Sequence, residues 1–218
     1  MSTRTLVLHD HEINLYDRDF ATVQDNMCLN DMIMYFKIRC LERKYQDLLQ
    51  KKFFYILMPQ VCQVIQTQTP ETSKLLVPKA SFEDYKLLFF PISDFSYATK
   101  SATHWSLLYV DNRNGEKRIK HYDSHSQLNS KPAIKFASLI SQIYQLPSAD
   151  VEMLNCSTQQ NTFDCGIYVL AYIDNLIEKL GDHEAADKIL TPEYIYQYRK
   201  DIREYIPKRA KELEENNE

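Results

Sequence analysis

The chain has 218 residues, 44% hydrophobic and 12% aromatic, a size and apolar content that suit one globular domain. Its formal net charge is −4 and its basic residues form no long run, which excludes the electrostatic footprint of a nucleic-acid binder. No stretch reaches 18 consecutive apolar residues, and the N-terminal MSTRTLVLHDHEINLYD turns acidic too early for a signal core, so a soluble, intracellular protein with no membrane partner is expected.

In chain order, residues 6–20 alternate irregularly and read as an extended arm or short strands. From Asn30 a helix is expected, with Ile33, Phe36, Cys40, Leu41, Tyr45 and Leu48 at helical spacing and Asn30 or Asp31 at its cap. Pro59 opens a second short helix, and KLLFFPI at 86–92 reads as a strand. HWSLLYV at 104–110 and RIKHYD at 118–123 are β-rich runs joined by DNRNGEK, whose Asn-Gly pair signals a hairpin turn between antiparallel strands. PAIKFASLISQIY at 132–144 is a helix, DVEML at 150–154 a strand, and CGIYVLAYIDNLIEKLGD a helix ending at a glycine cap. TPEYIYQYRKDIREYI closes the fold as a helix, leaving a single domain over 1–207 and KRAKELEENNE at 208–218 as a charged, frayed tail. Helices, then strands, then strand and helix again make the class α+β around a mixed or antiparallel sheet.

Five cysteines, at 28, 40, 62, 156 and 165, form an odd set with no C-x-x-C spacing, against both a disulfide framework and a zinc site. His9 and His11 form an H-x-H pair without a companion cluster, so no metal or cofactor is expected. Cys165 differs from the other four because an apolar helix begins there, and a helix start favours a thiolate. Gly166, one of only three glycines, would keep the backbone uncluttered beside that sulfur. A cysteine nucleophile needs a histidine acid/base and a polar group to orient it. His104 begins one strand of the expected hairpin and Asp123 ends the other, so both meet at its open end. The same pair could equally be a structural hydrogen bond at the strand ends, and His121, on the same strand face as Asp123, is a rival base.

THWSLLYVD, HYDSHSQLNS and QQNTFDCGIYV, in that order, resemble the ubiquitin-like-protein-specific cysteine proteases, the sentrin-specific protease family, and look most like its deneddylase branch. CLND at 28–31 is similar to the family's WLND segment and extends the likeness toward the N-terminus. The resemblance implies a papain-like cysteine protease fold with the nucleophile at a helix N-terminus. It also implies cleavage after the C-terminal Gly-Gly of a ubiquitin-like modifier, with the cullin-type modifier and its conjugates as preferred partners. Carried onto this sequence, it makes His104 the general acid/base, Asp123 its orienter, Cys165 the nucleophile and Gln159 the oxyanion donor, with Gln160 as a substitute. It puts Trp105 on one wall of a narrow channel for the diglycine tail, and Cys28, Asn30 and Asp31 on the opposite, substrate-binding side. Cys28 stands where the family has tryptophan, either as a smaller apolar wall or as a second thiol within reach of Cys165. His125 and Ser126 are expected to shape the turn after Asp123, and Asp164 to help start the nucleophile's helix. The same chemistry on sentrin or ubiquitin, a protein acetyltransferase, and a modifier-binding module on the same fold are the alternatives.

Overall fold

Strands covered on both faces carry continuous apolar runs instead of an alternating pattern, and two runs of this chain do so. In the computed structural model, which describes residues 4–75, 77, 84–95, 102–144 and 150–215, Leu87–Ser93 and Trp105–Asp111 are buried along their whole length. They are β4 and β5, two of the three inner strands of a five-stranded sheet ordered β3-β4-β5-β6-β7, whose other members are Phe54–Ile56 (β3), Arg118–Tyr122 (β6) and Val151–Met153 (β7). The central pairs β4/β5 and β5/β6 are antiparallel, and the outer pairs β3/β4 and β6/β7 are parallel. The mixed sheet expected from the sequence is therefore present. The short β3 was not anticipated, because three apolar residues carry no period to distinguish strand from helix. Pro91 is tolerated inside β4 because Phe89 faces β3 through its carbonyl bond to Leu57 N, and two residues further on β3 has ended.

One face of the sheet, carrying Phe89, Leu107 and Tyr109, packs on the helices Asp31–Lys44 (α2), Cys165–Glu178 (α7) and Pro192–Glu215 (α9). The other face, carrying Phe90, Leu108 and Val110, packs on Pro59–Ile65 (α4) and Ser130–Tyr144 (α6). Helix α7 is apolar all round and buried from Cys165 to Ile177, so it is the central strut of the first layer. The N-terminal arm folds as a hairpin of Leu6–Asp10 (β1) and Ile13–Tyr16 (β2), followed by the single turn Asp17–Ala21 (α1).

Two expectations change. The helix capped by Asn30 stops at Lys44 instead of reaching Leu48, because Tyr45 leaves helical geometry and donates its hydroxyl to Asp174 Oδ1 on α7 at 2.7 Å. The helix Gln46–Gln50 (α3) then starts afresh. The charged segment after 207 is not frayed: α9 continues through Pro207 to Glu215. There Ala210 and Leu213 pack on the core, and Arg209 reaches the buried carboxylate of Asp10 at 3.4 Å. An apolar stripe and one ion pair outweigh the interior proline, which removes one hydrogen bond of the helix. Among the described residues no helix is long and apolar enough to cross a membrane.

Candidate active site

Register brings the first two site residues together. The β5/β6 ladder pairs Leu108 with His121 and Leu107 with Tyr122, so the chain positions just beyond it, His104 and Asp123, lie at its open end. His104 Nε2 donates to Asp123 Oδ1 at 2.6 Å, and both residues are buried. The carboxylate is held from behind by two backbone N–H groups, His125 N to Oδ1 at 2.9 Å and Asn129 N to Oδ2 at 2.8 Å. Burial would raise the Asp123 carboxyl, but the bonds from His104, Asn129 and His125 bring it below the usual carboxylate range. On the other side, His104 N donates to Asp94 Oδ1 at 2.9 Å, and Asn129 Nδ2 donates to the His104 carbonyl at 3.3 Å. The ring is thus fixed by its own backbone as well as by its partner.

Cys165 is the first residue of α7, and its sulfur is near enough to the His104 ring to act on the ring's charge. With Nε2 directed to Asp123, Nδ1 is the nitrogen available to the sulfur. Burial pulls the His104 pKa down, yet the Asp123 hydrogen bond and the Cys165 sulfur more than reverse this, raising it from 6.5 to about 9. At neutral pH the ring is an imidazolium between two groups able to carry negative charge. The helix places the positive end of its dipole at the same sulfur.

The rival base is elsewhere. His121 pairs with Leu108, on the sheet face covered by α6, and its Nε2 contacts Ser106 Oγ at 2.9 Å. Burial lowers its pKa to about 4, so it is neutral at pH 7 and occupied by the core.

Gln159 lies beside the loop that follows Asp123. Its backbone N donates to the Ser124 carbonyl at 2.8 Å, and Ser124 Oγ donates to Oε1 at 2.8 Å. Its Nε2 donates to the Asn161 carbonyl at 2.6 Å, which engages one of the two amide hydrogens. Gln160, the substitute, is exposed and has no such anchoring. The loop between Gln159 and Cys165 is built by Asn161, whose Oδ1 accepts from Phe163 N at 3.1 Å and Asp164 N at 3.0 Å.

Two sequence expectations are corrected here. Asp164 stands at the cap of α7 without a side-chain capping bond, because its carboxylate is drawn to Arg199 Nε at 2.8 Å and Asn161 Nδ2 at 2.7 Å. Gly166 is small for packing, since a Cβ there would lie 3.0 Å from Leu29 Cβ. That contact brings the 28–31 segment against the start of α7. The Trp105 indole N–H donates to the Leu29 carbonyl at 3.0 Å, and the exposed Cys28 directs its thiol to the Thr162 carbonyl at 3.7 Å. Cys28 and Cys165 are both free thiols, and partial burial with the facing Cys165 pushes the Cys28 thiol above its usual range. Asn30 is engaged in the fold: its Oδ1 caps α2 through Ile33 N at 3.0 Å and its Nδ2 donates to Asp19 Oδ1 at 2.8 Å. The Asp31 carbonyl accepts from Gln60 Nε2 at 3.2 Å. His125 and Ser126 do form the turn after Asp123, with Ser126 at φ 51° and Gln127 at φ 61°. Among the described residues no group of three His, Cys, Asp or Glu is arranged to hold a metal.

Sequence reasoning missed Asp94, Ser124, Asn129, Asn161 and Arg199. Asn129 and Asn161 left a local signal, an asparagine shortly before a helix start, where Asx turns are common.

Residues 27–211 match the family described as the Ulp1 protease family, C-terminal catalytic domain. Sentrin-specific protease 8 of Rattus norvegicus is 30% identical over 161 residues, covering 71% of this chain and 73% of that protein. NEDD8-specific protease 1 of Schizosaccharomyces pombe is 29% identical over 114 residues, 51% of this chain and 26% of that protein. Among solved structures, the C-terminal Ulp1 protease domain in complex with Smt3, the yeast ortholog of SUMO, aligns with a TM-score of 0.70 at 19% identity over 96% of this chain and 90% of that chain. With the family match running from ahead of α2 into the last turns of α9, the chain belongs to the Ulp1 protease family and is a cysteine protease.

Proposed function

We propose that the chain cleaves after the C-terminal Gly-Gly of a ubiquitin-like modifier, and that its preferred substrates are conjugates and precursors of the cullin-type modifier. The carrying observation is the buried His104–Asp123 bond of 2.6 Å together with Cys165 at the start of α7, whose sulfur acts on the ring's charge. The name of the fission-yeast relative, a NEDD8-specific protease, supports the choice of modifier.

In this reading the Cys165 thiolate attacks the terminal glycine carbonyl and the carbonyl oxygen takes the negative charge. The second N–H of Gln159 Nε2 and the Cys165 backbone N–H receive it. The latter lies in the first turn of α7, where no intrahelical acceptor exists. His104 Nδ1 then passes its proton to the departing lysine amine or peptide nitrogen, leaving a thioester on Cys165. Water attacks that thioester as the now neutral His104 takes a proton from it, the C–S bond breaks to return the electron pair to Cys165 as thiolate, and the free glycine carboxylate leaves. Asp123 holds the ring in orientation and keeps the imidazolium charged, without taking the proton itself. Trp105 and the Cys28–Leu29 segment form the two sides of the channel for the diglycine tail. Asn30 supports that channel by fixing the start of α2 and Asp31 through its backbone, so both act on the substrate through the wall they hold.

The experiment is mass-spectrometric labelling with a panel of modifier probes, each ending in Gly-Gly and a cysteine-reactive warhead, on wild type and Cys165→Ala. Selective labelling of Cys165 by the cullin-type probe is expected. Labelling by a sentrin or ubiquitin probe instead would overturn the choice of modifier. No reaction by any probe with folded protein would overturn the whole reading.

A further inference from the structure

The catalytic steps leave without a task the most deeply buried lysine or arginine among the described residues. Arg199 on α9 is 2% exposed and every edge of its guanidinium is engaged. Nε and Nη2 lie 2.8 and 2.7 Å from Asp164 Oδ1, and Nη2 also donates to the Phe163 carbonyl at 3.1 Å. Nη1 donates to the carbonyls of Gln24 at 3.1 Å and Thr22 at 3.4 Å, while the guanidinium carbon sits 5.5 Å from the Phe163 ring centre. A planar fork of five donors makes this set, and no other side chain could.

Those partners belong to the two walls of the channel. Phe163 and Asp164 lead directly into Cys165. Thr22 and Gln24 belong to the segment that runs on to Cys28 and Leu29. The walls touch again nearer the sulfur, through Cys28 Sγ to the Thr162 carbonyl at 3.7 Å and Leu29 against Gly166. A buried ion pair is a poor source of stability compared with apolar packing, so its presence here calls for a geometric reason. Its charge has a reason too. Asp164 immediately precedes the nucleophile, and an uncompensated carboxylate there would oppose charge on the sulfur.

We propose that Arg199 is a positioning residue of the protease. It acts through Asp164 and Phe163 to set Cys165 against His104, and through the Thr22 and Gln24 carbonyls to set the spacing of the two channel walls. This rests on the assignment of Cys165 as nucleophile made above. The globular body of a modifier binds outside the channel, so loss of Arg199 acts on turnover and leaves binding almost unchanged.

The test compares wild type, Arg199→Lys and the double variant Arg199→Met with Asp164→Asn, which removes both buried charges and leaves no unpaired one. The substrate is a cullin-type modifier with a fluorogenic amide at its C-terminal glycine, or whichever modifier the probe panel selects. Rates are divided by the fraction of enzyme titrated by the matching warhead probe, so unfolded protein does not count. The expected result is a kcat per titrated site lower by about tenfold in Arg199→Lys, which keeps the charge but loses the fork. In the double variant the loss is on the order of 10²-fold, the size associated with a misplacement of about 1 Å. KM changes by less than about threefold in both, as an interaction made only in the transition state requires. Wild-type kcat per titrated site in both variants, or a loss confined to the titrated fraction or to KM, would overturn the proposal. Failure of wild-type Cys165 itself to react would instead overturn the nucleophile assignment, so the two failures are distinguishable.

Discussion

Replacing Asp123 with asparagine tests the electrostatic centre of the site with almost no change of shape. In the native arrangement Oδ1 accepts from His104 and His125, and Oδ2 accepts from Asn129 N. Asparagine can keep its oxygen toward His104 only by turning its amide N–H₂ toward the Asn129 N–H, a buried donor facing a donor, which costs about 1–3 kcal/mol. The larger effect is on His104. Its rise from 6.5 to about 9 corresponds to about 3 kcal/mol of preference for the charged ring, and Asp123 is the main favourable cause. Without that carboxylate the largest favourable cause is gone, only the Cys165 sulfur still opposes burial, and the ring's pKa falls. The imidazolium population at neutral pH then drops, and with misorientation added kcat/KM falls by about 10²-fold or more. The assay is kcat/KM on a modifier C-terminal amide from pH 6 to 10, whose alkaline limb reports loss of the imidazolium in the free enzyme. Wild type holds its activity until about pH 9, and the Asp123→Asn limb moves to lower pH. Stability follows with a definite sign. The folded value lies above the unfolded one, so the stabilisation is complete below about pH 6.5 and is lost as pH rises through about 9. The wild-type Tm therefore declines over that window more steeply than the variant's. An alkaline limb still near pH 9 in Asp123→Asn would refute the assignment of the carboxylate as the source of the shift.

Gln159→Ala removes one oxyanion donor and should lower kcat by about 10²-fold, with a modest fall in Tm because the bonds to Ser124 and Asn161 go with it, and undiminished turnover would remove Gln159 from the oxyanion site. Gly166→Ala places a methyl 3.0 Å from Leu29 Cβ, and the overpacking should cost about 1–2 kcal/mol in urea denaturation together with slower turnover, since Leu29 carries the carbonyl that anchors Trp105. An unaltered midpoint would show that Leu29 has room to retreat. Truncation after Pro207 removes Ala210, Leu213 and the Arg209–Asp10 pair, so stability should drop by about 2 kcal/mol, whereas an equal Tm would mean that the last turns of α9 are passive.

How much of this was legible before folding depends on distance along the chain. The hairpin announced itself through an Asn-Gly turn between two β-rich runs, and with it came the meeting of His104 and Asp123 at one end. Cys165 at the start of an apolar run could be read as a helix-start thiol from its immediate neighbours. Propensity, periodicity and turn chemistry are properties of adjacent residues, so these features are determined locally. The choice between His104 and His121 was not local, because only the pairing of His121 with Leu108 shows that it faces α6 and the core. The same holds for the break at Tyr45, which Asp174 imposes from α7, and for the ordering of the chain after Pro207, which Asp10 and the core impose. Asp164 is the clearest instance. Its position predicts a helix cap, yet its carboxylate turns to Arg199, 35 residues away, because a buried guanidinium there has a stronger claim on it than one backbone N–H. The sequence by itself determined the chemical types, their order and the elements that carry them. Which side chains are buried together, and hence which histidine is charged and which carboxylate is committed to an arginine, was decided only when the sheet register and the packing of α7 and α9 brought distant residues into one low-dielectric site.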